Sequence, residues 1–317
     1  MLCKADKSGI KYSRFTAQMA INLAAPHTWP AAIIPVLIAT ALAAANMGSI
    51  SATMSIVCLV IVILMQSAVN TFNDYYDFVK GTDDNESNLD ESDAVLVYNN
   101  VNPRSALRLA IGMLCAAFAL GIYVILKAGF IPLAIALVGA LFVVSYSAGK
   151  TPISYLPIGE FVSGSVMGCL IPLAVYYSLT LTLDWFVLLY SVPTMILIGL
   201  IMMTNNTCDI ERDIEAGRKT LPVLLGRPKA VKTYHALAII SITAIVLVIG
   251  FRFTQGLLII PFMILAAYPS TKALFSNPLV QVTRQAAMPQ ILSANITYGA
   301  FYAAAILLSA ANTSIVF

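Results

Sequence analysis

Apolar runs recur along the whole chain, and nothing constrains its fold more than they do. Nine can be counted, at roughly 17–45, 51–73, 105–126, 129–147, 158–179, 184–206, 232–250, 256–271 and 286–313. About 18 or more apolar residues suffice to cross a hydrocarbon core of roughly 30 Å as a helix. Inside that layer every backbone polar group must be satisfied by the protein itself, which leaves helices or a closed barrel. The runs are continuously apolar rather than alternating, so a barrel is excluded. Charged residues make up 10% of the chain, against about 25% in soluble domains. The expected fold is all-α, a polytopic membrane protein with nine transmembrane helices. Pro26, Pro30 and Pro35 predict a first span kinked or broken near its start, and the eighth run is short.

Orientation follows from Lys and Arg. With the N-terminus placed in the cytoplasm, Lys127 and Arg252 are the only two of the 18 bases left outside. That asymmetry is the positive-inside pattern, and with nine spans the C-terminus falls outside the cell membrane. Of the 15 acids, Asp184 alone lies outside, so polar chemistry gathers on the cytoplasmic face. Bases there are interspersed with acids, which excludes a nucleic-acid partner. The five cysteines are scattered without metal-ligand or redox spacing, and His27 and His235 are too few for a metal cluster. The polar, basic start predicts no signal peptide.

The chain reads as one domain, 1–317, with an acidic inner loop over 74–104, a short one over 148–157 and a highly charged one over 207–231. Asn73-Asp74-Tyr75-Tyr76-Asp77-Phe78 at the end of the second run is echoed by Asn205-Asn206-Thr207-Cys208-Asp209-Ile210 at the end of the sixth. The echo predicts two related halves, 17–147 and 158–271, with the helix at 286–313 added.

Chemistry is concentrated in those two segments. Spacings of three and four put Asn70, Asn73 (or Asp74) and Asp77 on one helical face, and Asn205, Asp209 and Asp213 on another. An Asp at mid-membrane costs about 2.5–3.5 kcal/mol, less near the interface, so the repeated pattern is an expensive decoration unless it binds something. Brought together, the two faces form a ring of hard oxygen ligands suited to Mg²⁺.

Mg²⁺ held by carboxylates commonly has its other side on substrate phosphates. Bases for phosphate lie close by: Lys80 after Asp77, Arg212, Arg218 and Lys219 after Asp209, and Lys150 in the remaining inner loop. Lys229 and Lys232 read as ordinary topology. A doubly anionic head beside an apolar pocket is the shape of a polyisoprenyl diphosphate.

Asn70-x-x-Asn73-Asp74-x-x-Asp77 with Gly81-Thr82-Asp83, then Asp209-x-x-x-Asp213 with Gly217-Arg218-Lys219-Thr220-Leu221, resembles the two aspartate motifs of UbiA-type intramembrane aromatic prenyltransferases. Pro26-His27-Thr28-Trp29-Pro30, Tyr146-Ser147-Ala148-Gly149 with Pro152-Ile153-Ser154-Tyr155, and Pro157-Ile158-Gly159-Glu160 are similar to the branch that prenylates 1,4-dihydroxy-2-naphthoate in menaquinone synthesis. Two positions depart from that branch. Ala25 stands where it usually has Arg, and Asn102-Pro103-Arg104 where it usually has Gly-x-x-Arg.

The resemblance implies a helical bundle around a central cavity, with the active site at its cytoplasmic end. It implies two Mg²⁺ ions bridging the diphosphate, held by Asp74, Asp77, Asp209 and Asp213, with Asn70, Asn73 and Asn205 completing or orienting the shell. Lys150, Arg218 and Lys219 would neutralise phosphate oxygens. Tyr146 would stabilise the allylic cation and help exclude water. The implied partners are a polyprenyl diphosphate, an aromatic acceptor and membrane lipid. Other readings remain at this stage. Prenyl transfer to a different acceptor uses the same chemistry. A head-group transferase would carry its aspartates in one compact segment, and a divalent-cation transporter would carry them near span centres with the helices broken around them.

Overall fold

The computed structural model describes residues 12–80, 95–147, 151–310 and 314–316. Its first apolar run is broken at Pro26 and Pro30, while Pro35 lies inside the helix that follows. Helix α1 (Ala17–Ala24) starts under Thr16, whose hydroxyl accepts from the Met19 N–H at 3.2 Å. It stops at Ala25, which takes the left-handed conformation at φ 48°. A single 3₁₀ turn (Pro26–Thr28) follows, and α2 (Pro30–Met47) resumes. A proline has no N–H to continue a helix but starts one well, which fits Pro26 and Pro30 at the two restarts.

After a short strand β1 (Ser49–Ser51) come α3 (Ala52–Lys80), α4 (Val95–Tyr98), α5 (Pro103–Ala128) and α6 (Ile131–Ser147). Helix α7 (Gly159–Ser165) passes through a π-helical turn (Val166–Leu170) into α8 (Ile171–Thr180). Then follow α9 (Phe186–Cys208), α10 (Ile210–Glu215), α11 (Leu221–Leu225), α12 (Arg227–Arg252), α13 (Ile260–Ser276) and α14 (Arg284–Leu308). Strand β2 (Ser314–Val316) pairs in parallel with β1, a small addition to an otherwise helical chain.

Among the described residues, eight of the nine runs become helical stretches long and apolar enough to cross a bilayer. The fourth becomes α6, an apolar helix of 17 residues. The eighth is longer than its apolar run, because the 3₁₀ segment (Thr254–Ile259) that leads into α13 begins before the run and α13 continues beyond it to Ser276, which brings the stretch to 23 residues. Large side chains such as Phe118, Leu126 and Leu265 stand 63%, 78% and 75% exposed, as lipid-facing residues do. This is a multi-pass integral membrane protein.

The chain divides into two compact units. One comprises the chain through Trp29 together with Val60–Tyr123, the other Pro30–Leu59 together with Val124 onward. The break between α1 and α2 marks one boundary, and α3 and α5 each begin in one unit and end in the other.

The first unit is built on Leu23, Val95, Leu96, Val101 and Ala106, with Phe15, Met19, Phe78 and Leu109 packed against them. In the second, α9 packs against α7, α12 and α14, and α2 against α8 and α14. Membrane helices approach closely only over small residues. A Cβ on Gly168 would stand 2.4 Å from the Met195 Cα, so no other residue lets α9 lie there. Side-chain hydroxyls add polar ties: Ser241 donates to the Pro193 carbonyl and Tyr302 to that of Tyr190, both at 2.8 Å.

Candidate active site

The first aspartate segment lies in the first unit, on the last turns of α3. The break at Ala25 leaves helix-end carbonyls on Leu23 and Ala24, and α3 supplies their partners. Thr71 donates its hydroxyl to Leu23 O at 3.0 Å, and Asn70 Nδ2 donates to Ala24 O at 3.2 Å and to Thr28 Oγ1 at 2.8 Å. Trp29 Nε1 also donates to Ala24 O, at 3.2 Å, and to Ser67 Oγ at 3.0 Å. The conformation of Ala25 is thus part of how α1 docks. Asn70, read from the sequence as a substrate contact, spends its amide on that docking.

One turn later Asp74 is buried, and its Oδ2 accepts from the backbone N–H of Val95 at 3.2 Å. It therefore caps α4 from a distance in sequence. Asn73 is exposed. Asp77 and Lys80 belong to α3, but their side chains lie outside the described residues, as do residues 81–94 and Lys150.

The second segment lies in the second unit, where α9 ends. Asp209 leaves helical geometry (φ −102°, ψ 20°) and α10 restarts after it, so Asn205, Asp209 and Asp213 still follow one another at single turns. Helix α10 ends at Gly217, whose φ of 69° a side chain would strain. The reversal there turns the following residues back on the helix. Arg218 N–H donates to Asp213 O at 2.8 Å, Arg218 Nη1 lies 3.5 Å from Asp213 Oδ1, and the Thr220 hydroxyl donates to Asp213 Oδ2 at 3.0 Å. The Arg218 guanidinium sits 4.9 Å from the centre of the Tyr155 ring, and Lys219 N–H donates to Tyr155 O at 2.8 Å. The Lys219 side chain is exposed.

Arg284, at the start of α14, completes the cluster. Its Nε and Nη2 donate to Asn205 Oδ1 at 3.0 and 2.8 Å, and Nε lies 3.3 Å from Asp209 Oδ2. Only as a topology charge does Arg284 register in the sequence, because its partners lie many residues earlier. Arg227, also a topology charge there, donates to Thr207 O and Leu279 O and pairs with Glu211. It ties the ends of α9 and α12 to the turn before α14.

Burial pushes Asp209 and Asp213 above the ordinary carboxylate range, against the opposing pull of Arg284 and Arg212 on the first and Arg218 on the second. Exposed Glu211 is held below its usual value, chiefly by its hydrogen bonds to Arg227. Asp209 Oδ1 is buried and meets no hydrogen-bond donor among the described residues. A buried carboxylate oxygen with nothing donating to it fits a hard cation. Among the described residues no three His, Cys, Asp or Glu side chains gather as a metal site on their own. Mg²⁺ takes one or two carboxylates and fills its octahedron with water and substrate phosphate. Tyr146, at the end of α6, brings its hydroxyl within 3.6 Å of the Cβ position of Gly159, where α7 begins.

Fold and site define a multi-pass membrane protein whose buried acids and arginines gather where helices end. A model of the UbiA prenyltransferase family matches residues 32–288. The chain is 35% identical over 214 residues, 68% of either chain, to the 1,4-dihydroxy-2-naphthoate octaprenyltransferase of Bacillus subtilis. It is 29% identical to the UbiA prenyltransferase domain-containing protein 1 of Xenopus tropicalis, over 97% of this chain and 88% of that one. A UbiA homolog from Archaeoglobus fulgidus, solved bound to GPP and Mg²⁺, shares the fold with a TM-score of 0.61 at 17% identity, covering 92% of this chain and 99% of the other. The chain belongs to the UbiA prenyltransferase family and is a prenyltransferase of the type found in the naphthoate relatives. That membership decides among the readings of the sequence in favour of prenyl transfer over head-group transfer or cation transport.

Proposed function

We propose that the protein transfers a polyprenyl group from its diphosphate to 1,4-dihydroxy-2-naphthoate with loss of CO₂, at the cytoplasmic face of the cell membrane. The observation that carries this reading is the 35% identity with a naphthoate octaprenyltransferase. The positive-inside pattern supports the orientation, with the N-terminus cytoplasmic and the C-terminus outside. Both aspartate segments supply metal ligands: Asp74 and Asp77 from one, Asp209 and Asp213 from the other. Two Mg²⁺ ions, when bound, supply electrophilic stabilisation of the departing diphosphate.

The chain's own residues do the rest. Arg284 holds Asp209 and Asn205 in place, leaving Asp209 Oδ1 free of hydrogen bonds. Asn70 and Asn73 belong to the first segment's face, with Asn70 also docking α1. Arg218 spreads its charge between Asp213 and phosphate oxygens, while Lys80, Lys150, Arg212 and Lys219 add point charges. The C–O bond to the diphosphate breaks with its electron pair on the leaving group. The ring carbon bearing the carboxylate bonds to the allylic carbon, and CO₂ departs, returning its bonding pair to the ring. Tyr146 faces the allylic cation and helps keep water from it.

The test is turnover of labelled polyprenyl diphosphate with 1,4-dihydroxy-2-naphthoate by purified protein in lipid, with and without Mg²⁺. Prenylated product and CO₂ in equal amounts, only with Mg²⁺, are expected. Mg²⁺-dependent diphosphate binding without product would keep the donor and overturn the naphthoate.

A further inference from the structure

The second unit holds one more acid that prenyl transfer as described does not use. Glu160 opens α7 and is only 5% exposed. Its Oε1 accepts from Asn206 Nδ2 at 2.8 Å, while Oε2 is buried and meets no hydrogen-bond partner among the described residues. Half of this acceptor's capacity is therefore unused, inside a helix long and apolar enough to span the membrane. An unmade hydrogen bond at a buried carboxylate is costly and persists where a ligand makes it.

The backbone that carries this carboxylate is held against a second helix. Helix α7 lies against α9 with almost no space between backbones. A Cβ on Gly199 would stand 3.1 Å from Glu160 O, and one on Gly164 would stand 2.4 Å from Met195 O. The π-helical turn that follows is a distortion often found at functional sites. Asn206 adds a second anchor, since it follows Asn205, which Arg284 fixes together with Asp209. Tyr146 packs on neighbouring Gly159. Glu160 is thus tied to the reactive cluster through Asn206, and its free acceptor oxygen offers a diphosphate no donor. Of the two substrates in the proposed reaction, the one that brings this oxygen a donor is the acceptor, through its ring hydroxyls.

We propose that Glu160 is a specificity-determining residue whose Oε2 accepts a hydrogen bond from a ring hydroxyl of the aromatic co-substrate. This rests on the aromatic acceptor proposed above. The bond orients the ring, and it raises electron density on the hydroxyl oxygen and so at the ring carbon that attacks. No proton need leave for it to act. A site built to hydrogen-bond a substrate hydroxyl discriminates strongly against analogues lacking it.

Two measurements test this. Wild-type protein in lipid is assayed with dihydroxynaphthoate and with each of its mono-O-methyl ethers. Glu160→Gln, which keeps an oxygen for Asn206 and turns the other position into a donor, is assayed with the same compounds. Binding of a prenyl diphosphate with Mg²⁺ is measured on both proteins. The expected result is that one ether is poor for wild type, that Glu160→Gln loses roughly 10- to 100-fold in kcat/KM for the dihydroxy compound, and that its discrimination against that ether collapses. Diphosphate affinity stays within about twofold, the size of a change that leaves the donor site intact. If wild type uses both ethers as well as the parent compound, the proposal is overturned without any variant. It is also overturned if the variant keeps its discrimination, or if diphosphate binding falls in step with turnover. Should wild type bind the diphosphate yet prenylate no hydroxyaromatic compound, the proposed function itself fails and this assignment with it.

Discussion

The two aspartate segments look alike in sequence and are supported differently in structure. The first rides on α3, a helix that runs unbroken through Lys80, and Asp74 is met by a backbone N–H. The second sits at a break, where α9 stops at Asp209, and its acids are met by guanidinium groups from Arg218 and Arg284. A peptide N–H holds a carboxylate in place with little charge. An arginine also offsets the burial of the anion, and can share its donors with a phosphate. The difference suggests that a repeated motif need not be a repeated device. Among the contacts described, one copy meets a backbone N–H from a following helix, and the other a charged cluster drawn from distant parts of the chain.

The most severe break in that comparison is Asp209→Ala. Turnover per folded molecule should fall by at least about 10³-fold, the scale of losing a key electrostatic group, while the protein still inserts in the membrane. Asp77→Ala should do the same, and retained activity in either purified variant would remove that residue from the metal site. Next in size is Arg284→Ala, which leaves the ligand oxygens and removes what orients them. Titration of activity with Mg²⁺ should show a 10- to 100-fold loss in metal affinity or rate, the scale roughly typical of such supporting partners. No shift in the Mg²⁺ dependence would reduce Arg284 to a structural tie.

Acidity sharpens the contrast further. Asp209 and Asp213 titrate above their usual range because of burial, so between their unfolded and folded values the native state holds extra protons. Metal-free stability should therefore fall as pH rises through and above the ordinary aspartate range. Mg²⁺ binds the ionised form, so its stabilising shift in melting temperature should grow over the same interval and be smallest in acid. A Mg²⁺ shift that is constant with pH would mean these acids do not take the ion.

Asp74 offers a milder test. As a cap, its replacement by Ala should cost about 1 kcal/mol of stability, whereas Asn, itself a good cap, should cost a few tenths. If Asp74 also binds metal, both variants lose turnover, and comparing melting with activity separates its two tasks. Smallest of all is Glu211→Gln. Its pair with Arg227 is exposed, so the loss should stay under about 1 kcal/mol. Because Glu211 titrates below its usual value, that contribution is present above the ordinary glutamate range and disappears as pH falls through the depressed one.

Much of this was legible in the chain. Continuous apolar runs could only be membrane helices, and Pro26 and Pro30 marked the break between α1 and α2. Periodicity put Asn70, Asp74 and Asp77 on one face because α3 does not deviate there. The length of the eighth crossing was not legible, since Thr254 and Gln255 at its start and Lys272 near its end interrupt the apolar pattern. Arg284, Arg227 and Glu160 were not legible as site residues either. Each bears a charge that topology alone would explain, and what sets it apart is a partner on another helix.

The sequence by itself determined the class of fold and the residue types available for chemistry, because the bilayer penalises every unsatisfied polar group and the helix period is fixed. Only the tertiary structure decided that Ala25 turns left-handed where α1 docks, that Arg284 reaches Asp209, and that Glu160 is buried with one oxygen on Asn206. Those outcomes depend on how closely helices approach, and approach distance is set by pairs of residues such as Gly164 and Met195 that no local pattern connects.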